Sequence, residues 1–134
     1  YSDSRYRIEE VVLSDGMTLA PQDIPLYTID GDNDIRGGGF AETVIVGDGN
    51  DTISLESGND TIRSGGGVDT VDAGSGNDEV YAGFGDDTVL AGSGNDNVYG
   101  EEGNDTVHGQ DGNDQLFGDE GDDSLTVSYS GSNT

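Results

Sequence analysis

Gly74-Ser75-Gly76-Asn77-Asp78-Glu79-Val80-Tyr81 returns as Gly92-Ser93-Gly94-Asn95-Asp96-Asn97-Val98-Tyr99, two periods of nine residues later (92 − 74 = 18). Read outward from these copies, the nine-residue period runs from residue 28 to residue 126 as eleven units, with no insertion or deletion. A fixed period sets both the fold and the unit of function, because each repeat is one structural unit stacked on its neighbours. Each unit carries a glycine-rich turn, one well-placed carboxylate and one aliphatic residue. That combination suits a stacked β structure closing around metal ions.

The units begin at residues 28, 37, 46 and so on, and their positions can be compared column by column. The eighth column reads Ile35, Val44, Ile53, Ile62, Val71, Val80, Val89, Val98, Val107, Leu116 and Leu125. These residues are all aliphatic and mostly β-branched, so they suit strands, and one per unit pointing inward gives a narrow continuous core. The fourth column is glycine except at Phe40. Glycine there permits the positive φ of a tight turn. The fifth column is mostly Asn or Asp, residues that tolerate the left-handed region. The sixth column is Asn33 and Glu42, then Asp51, Asp60, Asp69, Asp78, Asp87, Asp96, Asp105, Asp114 and Asp123.

Each unit therefore reads as a six-residue turn followed by a three-residue strand. Two units make one coil, with strands on opposite faces, so alternate units stack and each face becomes a parallel sheet. The strands lie about 4.8 Å apart, and 5.5 coils give a stack roughly 25 Å long.

Residues 1–27 lack the repeat. Ile8-Glu9-Glu10-Val11-Val12-Leu13 reads as a strand, Ser14-Asp15-Gly16-Met17 as a turn and Thr18-Leu19 as a short return strand. Pro21 can open one helical turn through Ile24. We expect this segment to cap the open edge of the stack. Residues 127–134 form a short tail. The chain opens at Tyr1 without Met and is expected to be a piece of a larger protein.

Composition narrows the function. Four Lys+Arg against 29 Asp+Glu give a net charge of −25, and apolar residues make up only 30%. Such a chain cannot offset an ordering entropy of about 1–2 kcal/mol per residue unless its acid is neutralised. Multivalent cations are the obvious candidates. Clustered Lys and Arg are missing, which argues against nucleic acid and anionic membranes as partners. There is no cysteine, so neither disulfides nor thiolate ligands enter. No apolar stretch approaches the roughly 20 residues of a membrane span.

The columns resemble the RTX calcium-binding nonapeptide, G-G-x-G-x-D-x-U-x with U a large aliphatic residue. The resemblance covers residues 28–126 and implies an all-β fold, a right-handed parallel β-roll with calcium ions along each edge. It further implies a bacterial protein, secreted or at the cell surface, that engages a type I secretion machinery and the other domains of a larger parent chain. For the ligands, the resemblance implies backbone carbonyls at positions 2 and 4 of one turn with its Asp. The turn two units on adds carbonyls at positions 1 and 3 and its own Asp. The first full site would then use Gly47, Gly49 and Asp51 with Ser64, Gly66 and Asp69. Further carbonyls would come from Gly65, Gly67, Gly74, Gly76, Gly83, Gly85, Gly92, Gly94 and Gly103.

Pairing Asp residues two units apart gives 51/69, 60/78, 69/87, 78/96, 87/105, 96/114 and 105/123, seven strong sites. Asn33 lacks the charge and Glu42 is a methylene longer, so 33/51 and 42/60 are expected to be weak, for nine sites at most. The partner of Asp114 would fall at Ser132, where the pattern has ended. Seven ions would take the formal charge from −25 to −25 + 14 = −11. The expected function is a module that is disordered without calcium, folds cooperatively on binding it outside the cell, and so supports secretion and stability of the parent.

The alternatives are an adhesin-like, ice-binding or partner-binding face. Position 9 points outward and carries Tyr81, Tyr99 and Phe117 as a ladder, either a docking patch or a stack that stabilises the sheet. Thr52, Thr70, Thr88 and Thr106 form a flat row, but no second Thr row matches it. We expect no enzyme. His108 has no catalytic partner, and no loop departs from the period to build a groove.

Overall fold

The computed structural model describes residues 8–12, 18–19, 30–127 and 134. The described elements are all strands: β1 (Ile8–Val12), β2 (Thr18–Leu19), β3 (Asp34–Gly37), β4 (Thr43–Ile45), β5 (Thr52–Ser54), β6 (Thr61–Arg63) and β7 (Thr70–Asp72). They continue as β8 (Glu79–Phe84), β9 (Thr88–Leu90), β10 (Ser93–Gly94), β11 (Asn97–Glu102), β12 (Thr106–Gly112), β13 (Gln115–Phe117) and β14 (Ser124–Val127). From β3 onward the chain is a parallel β-solenoid of about five turns.

Strands from alternate units share a sheet. β3, β5, β7, β9, β12 and β14 form one face, and β4, β6, β8, β11 and β13 the other. The parallel ladders have the offset that two periods require, with one shift after His108 in β12–β14: Ile35 pairs with Ile53, Val80 with Val98 and Val98 with Leu116. The turns stack in the same register, with Asp48 beside Gly66, Ser75 beside Ser93 and Glu102 beside Glu120. The strands are not uniformly three residues long. β8, β11 and β12 run on into the turn, where side-by-side turns continue the ladder.

The expected strands near the start are present. β1 pairs antiparallel with β2 and with β3, at the edge of the first face. The turn expected at residues 14–17 and the helical turn expected from Pro21 to Ile24 lie outside the described residues.

The eighth column is buried from Ile35 to Leu116. Leu125 departs from that expectation at 43% exposed, because among the described residues β14 pairs only with β12 and is the last strand on its face. The core is also wider than one residue per unit. Position 1 turns inward as well, and Val46, Leu55, Ala73, Ala82 and Ala91 are buried beside the aliphatic column. This column shrinks along the chain, from Val46 and Leu55 through alanines to Gly100, Gly109 and Gly118. With no constant residue type, it left no periodic signature.

Candidate metal centre

The strands place the sixth column on the inner side of each turn, just before the chain enters the sheet. Asp51, Asp60, Asp69, Asp78, Asp87, Asp96, Asp105 and Asp114 are all at most 2% exposed. Burying unpaired carboxylates is costly, so their contacts decide what the site can do. One oxygen of each is satisfied by the coil before it. The amide of Asp51 donates to Asp69 Oδ1 at 2.8 Å, Asp60 to Asp78 at 2.8 Å, Asp69 to Asp87 at 2.7 Å and Asp78 to Asp96 at 2.9 Å. The rows continue with Asp87 to Asp105 at 2.9 Å, Asp96 to Asp114 at 3.2 Å and Asp105 to Asp123 at 2.9 Å.

The structure thus brings together all seven Asp pairs expected from the two-unit step. It also joins Asn33 to Asp51 and Glu42 to Asp60 by the same amide contact, at 2.8 and 2.7 Å. Asn33 adds a side-chain bond from Nδ2 to Asp51 Oδ1 at 2.9 Å.

The second oxygen is different. Oδ2 of Asp51, Asp60, Asp69, Asp78, Asp87, Asp96 and Asp105 is buried without a hydrogen-bond partner. Desolvation pushes these carboxyls upward, offset in part by the amide bond and, at Asp69, Asp78, Asp87, Asp96 and Asp105, reinforced by a neighbouring carboxylate in the row. Asp78 and Asp87 rise to about 7, Asp69 and Asp96 to about 6. Asp51, Asp60 and Asp105 are raised for the same leading reason. Rows of half-satisfied buried carboxylates fit a hard cation, which needs oxygens and supplies the missing positive charge.

Among the described residues no three His, Cys, Asp or Glu side chains gather at one point. Carboxylates meet in twos, so the remaining oxygens of any cation site must come from the backbone. Several of the expected carbonyls already link turns. The Gly66 amide donates to Gly47 O at 3.2 Å, and the Gly49 amide to Gly66 O at 2.6 Å. Gly65 O, Gly74 O and Gly92 O likewise accept from Phe84, Ser93 and Asp111. A carbonyl oxygen has two lone pairs, so such a bond leaves one for a cation.

The glycines match the turn geometry. Gly76, at position 4, has φ of 140°, and a β-carbon there would collide with Gly58 O. Position 2 is also left-handed from Gly65 onward, and it stays so where glycine is lost, at Glu101, Gln110 and Asp119. In those units glycine has moved to position 1. The Asp105 and Asp123 carboxylates lie where a β-carbon of Gly100 and Gly118 would stand.

Position 5 does not adopt the left-handed conformation expected of it. Its side chains instead form a second ladder, opposite in direction to the Asp rows. Asn59 Oδ1 accepts from the Asn77 amide at 2.8 Å, Asn77 from Asn95 at 2.8 Å and Asn95 from Asn113 at 3.0 Å. On the other edge Asn50 accepts from Val68, and Val68, with no oxygen, cannot pass the ladder on. The Asn column was visible in the sequence. Its direction of bonding was not, because the column alone does not say which coil supplies the donor.

On the outer face Tyr81, Tyr99 and Phe117 stack at 4.8 and 4.9 Å with ring planes within 8° and 6°. The Arg63 guanidinium covers the free side of Tyr81 at 4.1 Å. These contacts use the ring faces on one another, which is the sheet-stabilising reading of the ladder.

A family model for the RTX calcium-binding nonapeptide repeat (4 copies) matches the chain over residues 27–62, 36–71, 63–98 and 90–125. No curated protein and no solved structure matches it. The turns, the Asp rows and this match agree, and the chain belongs to the RTX calcium-binding nonapeptide repeat family.

Proposed function

We propose that this chain is a calcium-triggered folding module of a secreted bacterial protein. The observation that carries this reading is the set of buried Asp Oδ2 atoms, repeated coil after coil with no protein group to satisfy them. Membership of a calcium-binding repeat family supports it, as does the formal charge of −25.

The residues that would hold the ions are the seven Asp pairs, from 51/69 to 105/123, with backbone oxygens of the turns at 46–50, 55–59 and their successors. Calcium supplies two positive charges and accepts six to eight oxygen ligands at about 2.3–2.6 Å. The chain contributes the rest. Its glycines let adjacent turns approach closely, its Asp amides fix the orientation of each carboxylate, and its aliphatic column holds the two sheets together. Each interior Asp belongs to two pairs, so neighbouring sites share ligands and the transition is cooperative. The Asn33/Asp51 and Glu42/Asp60 pairs add two weaker sites at the N-terminal end.

Without the ions the buried acid opposes folding, and binding free energy becomes folding free energy. Sites of the extracellular kind have Kd of about 10⁻⁴–10⁻³ M. The module would stay unfolded inside the cell, pass an export machinery as an open chain, and fold outside, where it stabilises its parent. In this reading its role is structural. Far-ultraviolet circular dichroism from chelator to about 10 mM calcium tests this. A cooperative gain of β signal is expected; a β spectrum already complete in chelator at neutral pH overturns the folding trigger.

A further inference from the structure

Position 1 is apolar or glycine from residue 37 onward, with one exception: Ser64. Its side chain is fully buried, at 0% exposed. The hydroxyl donates to Ala82 O at 2.8 Å, with Tyr81 O at 3.4 Å. Ala82 lies in the coil after Ser64, and Asp69 closes the turn that Ser64 opens. One hydroxyl therefore links the facing turns, 64–69 and 82–87, whose acids are Asp69 and Asp87.

The same turn is costly to order. Gly65, Gly66 and Gly67 follow one another, as only Gly37, Gly38 and Gly39 do elsewhere among the units, so its ordering entropy is high. Val68 also deprives it of the position-5 oxygen that Asn or Asp provides in every other unit but that of Ala41. A buried hydroxyl bond at the start of this turn offsets both losses.

We propose that Ser64 is a positioning residue for the cation held between Asp69 and Asp87. Its bond to the Ala82 carbonyl adds a side-chain link between these two turns as they close on the ion, so this site fills at lower calcium than its neighbours. The inference rests on the calcium reading above. It adds an order of filling along the stack, which the repeat pattern alone does not set.

Amide hydrogen exchange on the whole chain, read by mass spectrometry at graded calcium, tests it. Segments 64–69 and 82–87 are expected to gain protection at lower calcium than 73–78 and 91–96. Ser64→Ala, which places the residue of positions 73, 82 and 91 at 64, should raise the midpoint of the first pair about three- to tenfold, the worth of one buried hydrogen bond. Ser54→Ala, on the exposed outer face of β5, should leave it unchanged. An unchanged midpoint in Ser64→Ala overturns the proposal. An equal shift in every turn also overturns it, because the hydroxyl would then serve the fold and not one site. Absence of calcium-dependent protection in the unaltered chain would instead refute the calcium reading itself.

Discussion

Asp is the residue this site requires because its two oxygens do different things. Oδ1 accepts the amide of the preceding coil and fixes the side chain, while Oδ2 stays buried and unsatisfied. Asparagine at Asp78 keeps the first contact and removes the charge. Asp78→Asn should therefore act in opposite directions. It relieves the buried acid of the metal-free fold, and it weakens both cation sites, 60/78 and 78/96, that share the residue. A calcium titration followed by circular dichroism is expected to show a higher midpoint, with no loss of β signal in chelator. Glycine is tested as sharply at Gly76. With φ of 140° and Gly58 O against the β-carbon position, Gly76→Ala should lower stability in saturating calcium by about 1–3 kcal/mol, measured by urea unfolding. In the aliphatic column, Ile62→Ala opens a cavity in a core two residues wide, and about 2–5 kcal/mol is expected in the same assay.

At the scale of elements, the stack is held by ladders that all run at one offset. The sheets, the Asp rows, the Asn rows and the aromatic stack obey it together. Tyr99 is the middle ring of the aromatic ladder and touches both neighbours. Tyr99→Ala should cost about 0.5–1.5 kcal/mol for each stacked pair lost, read by urea unfolding in saturating calcium. Much of this level was legible in the sequence. The constant residues of columns four, six and eight fixed the period, and the period fixed which strands and which Asp residues meet. What stayed hidden has a physical cause in each case. The second core column varies from Leu55 to Gly118, so no hydropathy pattern marks it. The left-handed backbone persists at Glu101, Gln110 and Asp119 although glycine has moved one place, which a column reading takes for a simple loss. Leu125 matches its column and is exposed, because burial depends on a neighbouring coil and not on residue type.

For the molecule as a whole, the dominant quantity is buried acid. Asp69, Asp78, Asp87 and Asp96 rise from 3.8 to about 6–7 in the metal-free fold, so the folded state binds protons more tightly than the unfolded one. Their contribution to stability is then fullest below pH of about 3.8 and is lost as pH rises towards 7. In chelator, the β signal is expected to grow on acidification through that window and to fade on return to neutrality. A signal that strengthens with rising pH would contradict the sign. In the proposed function, calcium takes over the role of the protons at neutral pH. The most direct test of the central claim is the number of calcium ions bound per chain at saturation, counted by equilibrium dialysis. Seven Asp pairs predict seven ions, rising towards nine if Asn33 and Glu42 complete their sites. A count of one or two, or a count unchanged in Asp78→Asn, would contradict the account.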